Sequence, residues 1–119
     1  MKKLSPIFKA LSDPTRLTIL GLVFRHGPLC VCEVEKILGI TQSKASRHLR
    51  YLKAAGVLED ERVGSIVNYR LPTNPDEDLS AILPMLRERL SDRSVPNAAP
   101  LLVRIRAMRS EGIMSGLGE

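Results

Sequence analysis

The chain has 119 residues, 44% of them hydrophobic and 26% charged, and a formal net charge of +5. These are ordinary values for one globular domain; they exclude a wholly disordered chain, and the positive excess favours an anionic partner. No apolar run approaches the ~18 residues of a membrane helix, no signal peptide follows the basic Met1-Lys2-Lys3, and 3% aromatics disfavour a stacking reader of single-stranded RNA. A cytoplasmic protein with no membrane partner is expected.

In chain order, residues 7–11 read as a short apolar helix. Asp13 then caps the orphan amides of a second helix, and Pro14 fits its first position. Over residues 14–25 that helix is apolar nearly all round, so it should be buried, and Gly27-Pro28 ends it. Residues 29–38 read as a third helix closed by Gly39. Thr41 caps a fourth, which runs to about Ala55 and stops at Gly56. Helix, tight glycine turn, helix is the helix-turn-helix pattern. Residues 57–63 and 66–71 are β-branched and partly alternating, and Gly64-Ser65 between them suits a type II′ hairpin. The expected fold class is mainly α with a β-hairpin wing, a winged helix-turn-helix.

Residues 80–93 form a fifth helix, with Pro84 in its first turn if Ser80 is the cap. Leu79, Ile82, Leu83, Leu86 and Leu90 make its apolar face, which reads as a dimer interface. The stripe of Leu101, Ile105 and Met108 extends that interface, and Arg104, Arg106 and Arg109 read as a solvated face. Residues 1–93 therefore form a DNA-binding and dimerisation domain. Residues 94–119 form a C-terminal extension, helical over about 100–110 and then a flexible tail.

The fourth helix carries the strongest functional signal. Ala45, Leu49 and Leu52 share a core stripe, while Ser43, Arg47 and Arg50 lie almost opposite, flanked by Lys44 and Ser46. With Lys53, its basic residues meet no Asp or Glu between Thr41 and Gly56, whereas a solvated helix usually mixes signs. In a major groove the N-terminal residues lie nearest the bases. Gln42 suits adenine, Arg47 suits guanine, and Ser43 and Ser46 suit either. Arg50 and Lys53 sit later and suit phosphates, and the wing offers Arg62, Asn68 and Arg70. His48 lies at the edge of the core stripe, with packing its expected role and phosphate contact the alternative.

The blocks from Ala10 to Leu20, Leu29 to Val34, Ser43 to Leu58 and Gly64 to Leu71 together resemble the ArsR family of winged-helix repressors. The likeness covers residues 5–72. It implies a homodimer built on the first and C-terminal helices, double-stranded operator DNA as partner, repression of transcription, and release when an inducer binds. No phosphate-cradling loop and no Ser/His/Asp set is present, so no enzyme and no catalytic cofactor are expected.

Leu29-Cys30-Val31-Cys32-Glu33-Val34 is similar to the family's arsenic-responsive motif, which implies that As(III) or Sb(III) binds Cys30 and Cys32 as inducer. Two Cys are too few for a disulfide framework or a four-Cys zinc site. Thiolates are soft ligands and suit such acceptors. The family pattern often adds a third Cys where Glu35 stands here. The third donor is then hydroxide, a small thiol, or an oxygen of Glu33 or Glu35, and an exogenous ligand fits a soft acceptor better. If both cysteines are helical, positions i and i+2 point apart, and one ion reaches both only by distorting the turn. A helix N-terminus should also lower the thiol pKa values. Oxidation of the pair, another thiophilic metal, zinc with His26, and a repressor without metal inducer stay open.

Overall fold

The computed structural model describes residues 3–90 and 95–110. Its elements run α1 (Leu4–Leu11), α2 (Pro14–His26), β1 (Leu29–Cys30), α3 (Val31–Leu38), α4 (Gln42–Ala54), β2 (Glu59–Val63), β3 (Ile66–Arg70), α5 (Glu77–Leu90) and α6 (Ala99–Ser110). This is the expected winged helix-turn-helix.

Local chemistry starts and stops the helices as expected. The Asp13 carboxylate accepts from the Arg16 amide at 3.0 Å, and Pro14 opens α2. Gly39 closes α3 in the left-handed region, at φ +66, where a side chain would be strained. Gly64 at φ +66 makes the hairpin turn between Val63 and Ile66, as a type II′ turn requires.

The core is built around α2. Its Ile19, Leu20 and Leu22 are fully buried, and α1, α4 and α5 pack on it. Each such side chain contributes roughly 1.5–3 kcal/mol by leaving water. Gly21 faces α5: a Cβ there would lie 2.7 Å from the Leu90 carbonyl oxygen and 2.8 Å from Val95 Cγ2. Only glycine lets the end of α5 and the following connector cross α2 so closely.

Four features differ from the sequence expectation. Leu29 and Cys30 form a strand, not helix, because they pair antiparallel with β3, Leu29 opposite Tyr69 and Cys30 opposite Asn68. The sheet order is β1-β3-β2, so the wing is three-stranded. Helix α5 begins at Glu77, because the Asp76 side chain accepts from the Leu79 amide at 2.8 Å. Pro84 therefore lies inside the helix, on an exposed position where water can serve the carbonyl it leaves unpaired. Finally, Leu79 and Leu86 are buried within the single chain, and Ile82, Leu83 and Leu90 pack against the same core. The α5 stripe is thus largely intramolecular. Phe8 of α1 and Met85 of α5 are among the large apolar side chains left outside, 53% and 51% exposed.

A candidate DNA-binding face and a buried cysteine cluster

Thr41 starts α4 by accepting from the Lys44 amide at 3.2 Å, and Ala45, Leu49 and Leu52 anchor the helix with no exposed surface. That packing turns Gln42, Ser43, Lys44, Arg47, Arg50 and Lys53 to solvent, with Ser46 and His48 half-buried. Thr41, Gln42, Ser43, Ser46 and Arg50 line one shallow concavity. Lys44, Arg47 and His48 line a second, with Arg16 and Tyr51. Burial and the charges of Arg16, Arg47 and Lys44 lower the His48 pKa against the pull of Asp13. The 4.0 Å approach of His48 Nδ1 to Asp13 is therefore not an ion pair at neutral pH.

Two expected phosphate binders already hold carboxylates. Lys53 Nζ donates to Asp60 at 2.9 Å, and Arg70 meets Glu59 at 2.9 Å and Glu61 at 3.2 Å. Arg62 is exposed on β2, and Asn68 is half-buried on β3 opposite Cys30.

Arg16 is a positioning residue that composition did not single out. Its Nε donates to the Ala10 carbonyl at 2.6 Å, and its guanidinium stacks 4.1 Å from the Tyr51 ring centroid. It ties the end of α1 to the side of α4.

Cys30 and Cys32 lie away from that face. Cys30 is the N-cap of α3 in extended conformation, and Cys32 is in the first helical turn. The turn-distortion expectation assumed two helical cysteines; one is not helical, so it falls. Both sulfur residues are buried, 0% and 1% exposed, in a small cluster with Ile105 of α6, edged by Ile66 and Leu101. Burial pushes the Cys30 thiol up, outweighing the bond from the Glu33 amide and the charge of Arg109. It pushes Cys32 up against Lys36 and Arg109. The expectation of lowered thiols fails because desolvation exceeds the helix-end effect.

Glu33 is the residue that sequence reasoning missed. It is 1% exposed, yet its carboxylate accepts from the Cys30 amide at 3.0 Å, from Arg106 Nε at 2.8 Å and from Arg109 Nη2 at 3.2 Å. Burial alone would favour its neutral form; the bonds from Arg106 and the Cys30 amide outweigh that and hold its carboxyl below the usual range. Arg106 also donates to the Pro28 carbonyl at 3.3 Å, and Arg109 Nη2 donates to Cys30 Sγ at 3.2 Å. Arg106 and Arg109 are accordingly not a solvated face: they dock α6 over the pocket. Leu101 and Ile105 pack against the cysteines rather than await a second subunit. The expected flexible tail, residues 111–119, lies outside the described residues.

Two sulfurs are what this site can offer a soft ion. Both Glu33 oxygens are engaged by donors. His26 Nε2 accepts from the Ala98 amide at 3.2 Å, which spends the nitrogen a zinc site would need. Among the described residues no three His, Cys, Asp or Glu converge as a metal cluster.

Comparison with known proteins places these features. The profile described as bacterial regulatory protein, arsR family, matches residues 13–60. The arsenic resistance transcriptional regulator ArsR1 of Pseudomonas putida is 44% identical over 77 residues, 65% of this chain and 60% of that protein. The chain thus spans less than two thirds of that relative's length. The arsenical resistance operon repressor of Bacillus subtilis is 36% identical over 83 residues, 70% of this chain and 76% of that protein. Among solved structures, the homodimeric winged helix-turn-helix DNA-binding domain of a possible ArsR-family regulator from Mycobacterium bovis superposes with a TM-score of 0.62. It is 27% identical and covers 74% of this chain and 78% of that one. With a relative so similar matched over most of its length, and with the fold agreeing, the chain belongs to the ArsR family of bacterial regulatory proteins.

Proposed function

We propose that the protein is a homodimeric transcriptional repressor of arsenic resistance. It binds double-stranded operator DNA through α4 and the wing, and releases it when As(III) or Sb(III) is held by Cys30 and Cys32. One observation carries this reading. Cys30 is both a strand residue paired to β3 of the wing and the N-cap of α3, which packs on α4. A ligand on that sulfur acts on both DNA-contacting elements at once. The names of the two relatives, both regulators of arsenic resistance, support the inducer class.

On the DNA side, Gln42, Ser43, Ser46 and Arg47 are the base readers, while Lys44, His48 and Arg50 meet phosphates. Arg62 and Asn68 serve the wing. Lys53 and Arg70 contribute only if they give up Asp60 and the Glu59–Glu61 pair. A second subunit, reading a second half-site about 34–36 Å away or a multiple of it, docks on the exposed Phe8 and Met85 of α1 and α5.

On the inducer side, the chain supplies two thiolates and an exogenous thiol or hydroxide completes the set. The ion supplies the soft acceptor; the protein must give up two buried thiol protons.

Fluorescence anisotropy of the reduced protein on DNA upstream of its own coding region, with arsenite titrated at fixed salt, tests the proposal. Release from wild type but not from Cys30→Ser or Cys32→Ser is expected. Specific binding that arsenite leaves unchanged would remove the inducer from the reading and keep the repressor.

A further inference from the structure

The buried cysteines have a cover held by both apolar and polar contacts: α6 buries Leu102 in the main core and Ile105 against the cysteines, and adds a set of ion pairs. Helix α6 buries Ile105 in one cluster with Cys30 and Cys32. Its polar attachments are Arg106 and Arg109 on Glu33, Arg106 on the Pro28 carbonyl and Arg109 on Cys30 Sγ. Val103, Arg104, Ala107 and Met108 face solvent. The connector leading into α6 is pinned to the end of α2, where Arg25 donates to the Val95 carbonyl at 3.1 Å and His26 accepts from the Ala98 amide.

We propose that α6 is the gate of the cysteine pocket. It lifts from Cys30 and Cys32 before a thiophilic ligand binds them, and the Arg106–Glu33–Arg109 ion pairs set how often it lifts. The identity of that ligand rests on the metalloid reading above; the gate itself does not. With Ile105 clustered against them, both cysteines are closed to solvent, so a ligand reaches the sulfurs only after the cover moves. A carboxylate shared between two arginines is the part of that hold that water can replace on both sides once it opens. Glu33 also links the gate to the DNA-reading elements. The same carboxylate that latches α6 caps α3 at the Cys30 amide, so lifting α6 removes both of its arginine partners and loosens the start of the helix-turn-helix.

Alkylation by iodoacetamide, a neutral thiol reagent, tests this on the full chain without any metalloid. Rates measured up to the high-pH plateau separate access from thiol pKa. The double variant Arg106→Ala/Arg109→Ala should raise the plateau rate on the order of tenfold or more, because the rate follows the open population. Val103→Pro, at an exposed position that touches neither sulfur, should do the same by breaking α6. Arg104→Ala, with one charge also removed, should change nothing. Native-state hydrogen exchange of the wild type gives an independent reading. The amides of residues 103–109 should exchange well ahead of those of α2. A plateau rate unmoved by the arginine variants, equal acceleration by Arg104→Ala, or α6 amides as protected as those of α2 overturns the gate. Should a variant lose its fold by circular dichroism, the wild-type exchange decides. Arsenite titrations on DNA keep the two ideas apart. Release without acceleration in any variant leaves the metalloid reading and sinks the gate; acceleration without release does the reverse.

Discussion

Helices α4 and α6 both carry arginines three residues apart, and the two use them oppositely. On α4, Arg47 and Arg50 are exposed, with no acidic residue on their own helix. On α6, Arg106 and Arg109 converge on one carboxylate that is 1% exposed. Charge spacing along a helix is the same in both cases; the position of a buried counter-charge decides the role. A basic face without one is open to phosphate and base edges, and a basic face with one becomes structural.

The sharpest way to break the contrast is Glu33→Ala. It removes the α3 cap at the Cys30 amide and leaves the α6 arginines without their partner. About 3 kcal/mol of stability should be lost, at the low end for a broken buried pair because Arg106 can rehydrate. The urea midpoint reads it. The exposed pair offers the control: Asp60→Ala, which frees Lys53, should shift stability by less than about 0.5 kcal/mol. Equal effects would mean that the Glu33 pairs are as solvated as the surface one.

Arg47→Ala should behave inversely, leaving the unfolding midpoint within about 0.5 kcal/mol and costing roughly 1–3 kcal/mol of specific DNA binding. Loss confined to the specific site marks a guanine reader. Equal loss on random DNA, with a shallower salt dependence, marks a phosphate contact instead.

Gly21→Ala sharpens the comparison from the core. The added methyl would sit 2.7 Å from a backbone oxygen of α5 and 2.8 Å from Val95, so the end of α5 or the connector into α6 must shift. Overpacking of this kind should cost about 1–2 kcal/mol. Because Val95 precedes the pinned Ala98, iodoacetamide should also reach the cysteines faster, whereas DNA affinity per folded molecule should hold. Unchanged alkylation would show that the connector yields without disturbing α6.

The helix-turn-helix half was legible because its signals are local. Thr41, the core stripe of Ala45, Leu49 and Leu52, and the glycine punctuation lie within one or two helical turns of what they specify. The pocket was half legible. Cys30 and Cys32 stood out by type and spacing, but β1 is two residues long and is defined by its partner strand, not by its own pattern. Cys30-x-x-Glu33 follows the capping-box spacing with sulfur in place of a hydroxyl, which is a readable sign of Glu33 at a helix start. Nothing local tells that Glu33 is buried under α6. That contact joins residues more than seventy positions apart, and an arginine facing water and one facing a buried carboxylate have the same helical spacing.

The smallest effect concerns the hinge end of α6. His26 Nε2 accepts from the Ala98 amide, and only the unprotonated nitrogen can do so. Burial, with the nearby Arg25 and Arg106, lowers the His26 pKa from the ordinary 6.5, against a bond to the Pro96 carbonyl that raises it. Between the lowered folded value and 6.5, the unfolded chain binds more protons than the folded one. Stability from this group is therefore complete above about pH 6.5 and declines as the pH falls through that window. Urea midpoints should drop on acidification from about pH 7.5 to 5.5, and drop less in His26→Gln, whose amide cannot be charged. His48 titrates in the same direction and is present in both proteins, so the difference between them isolates His26. A wild-type decline no steeper than that of His26→Gln would mean that protonating the ring leaves the anchor at Ala98 intact.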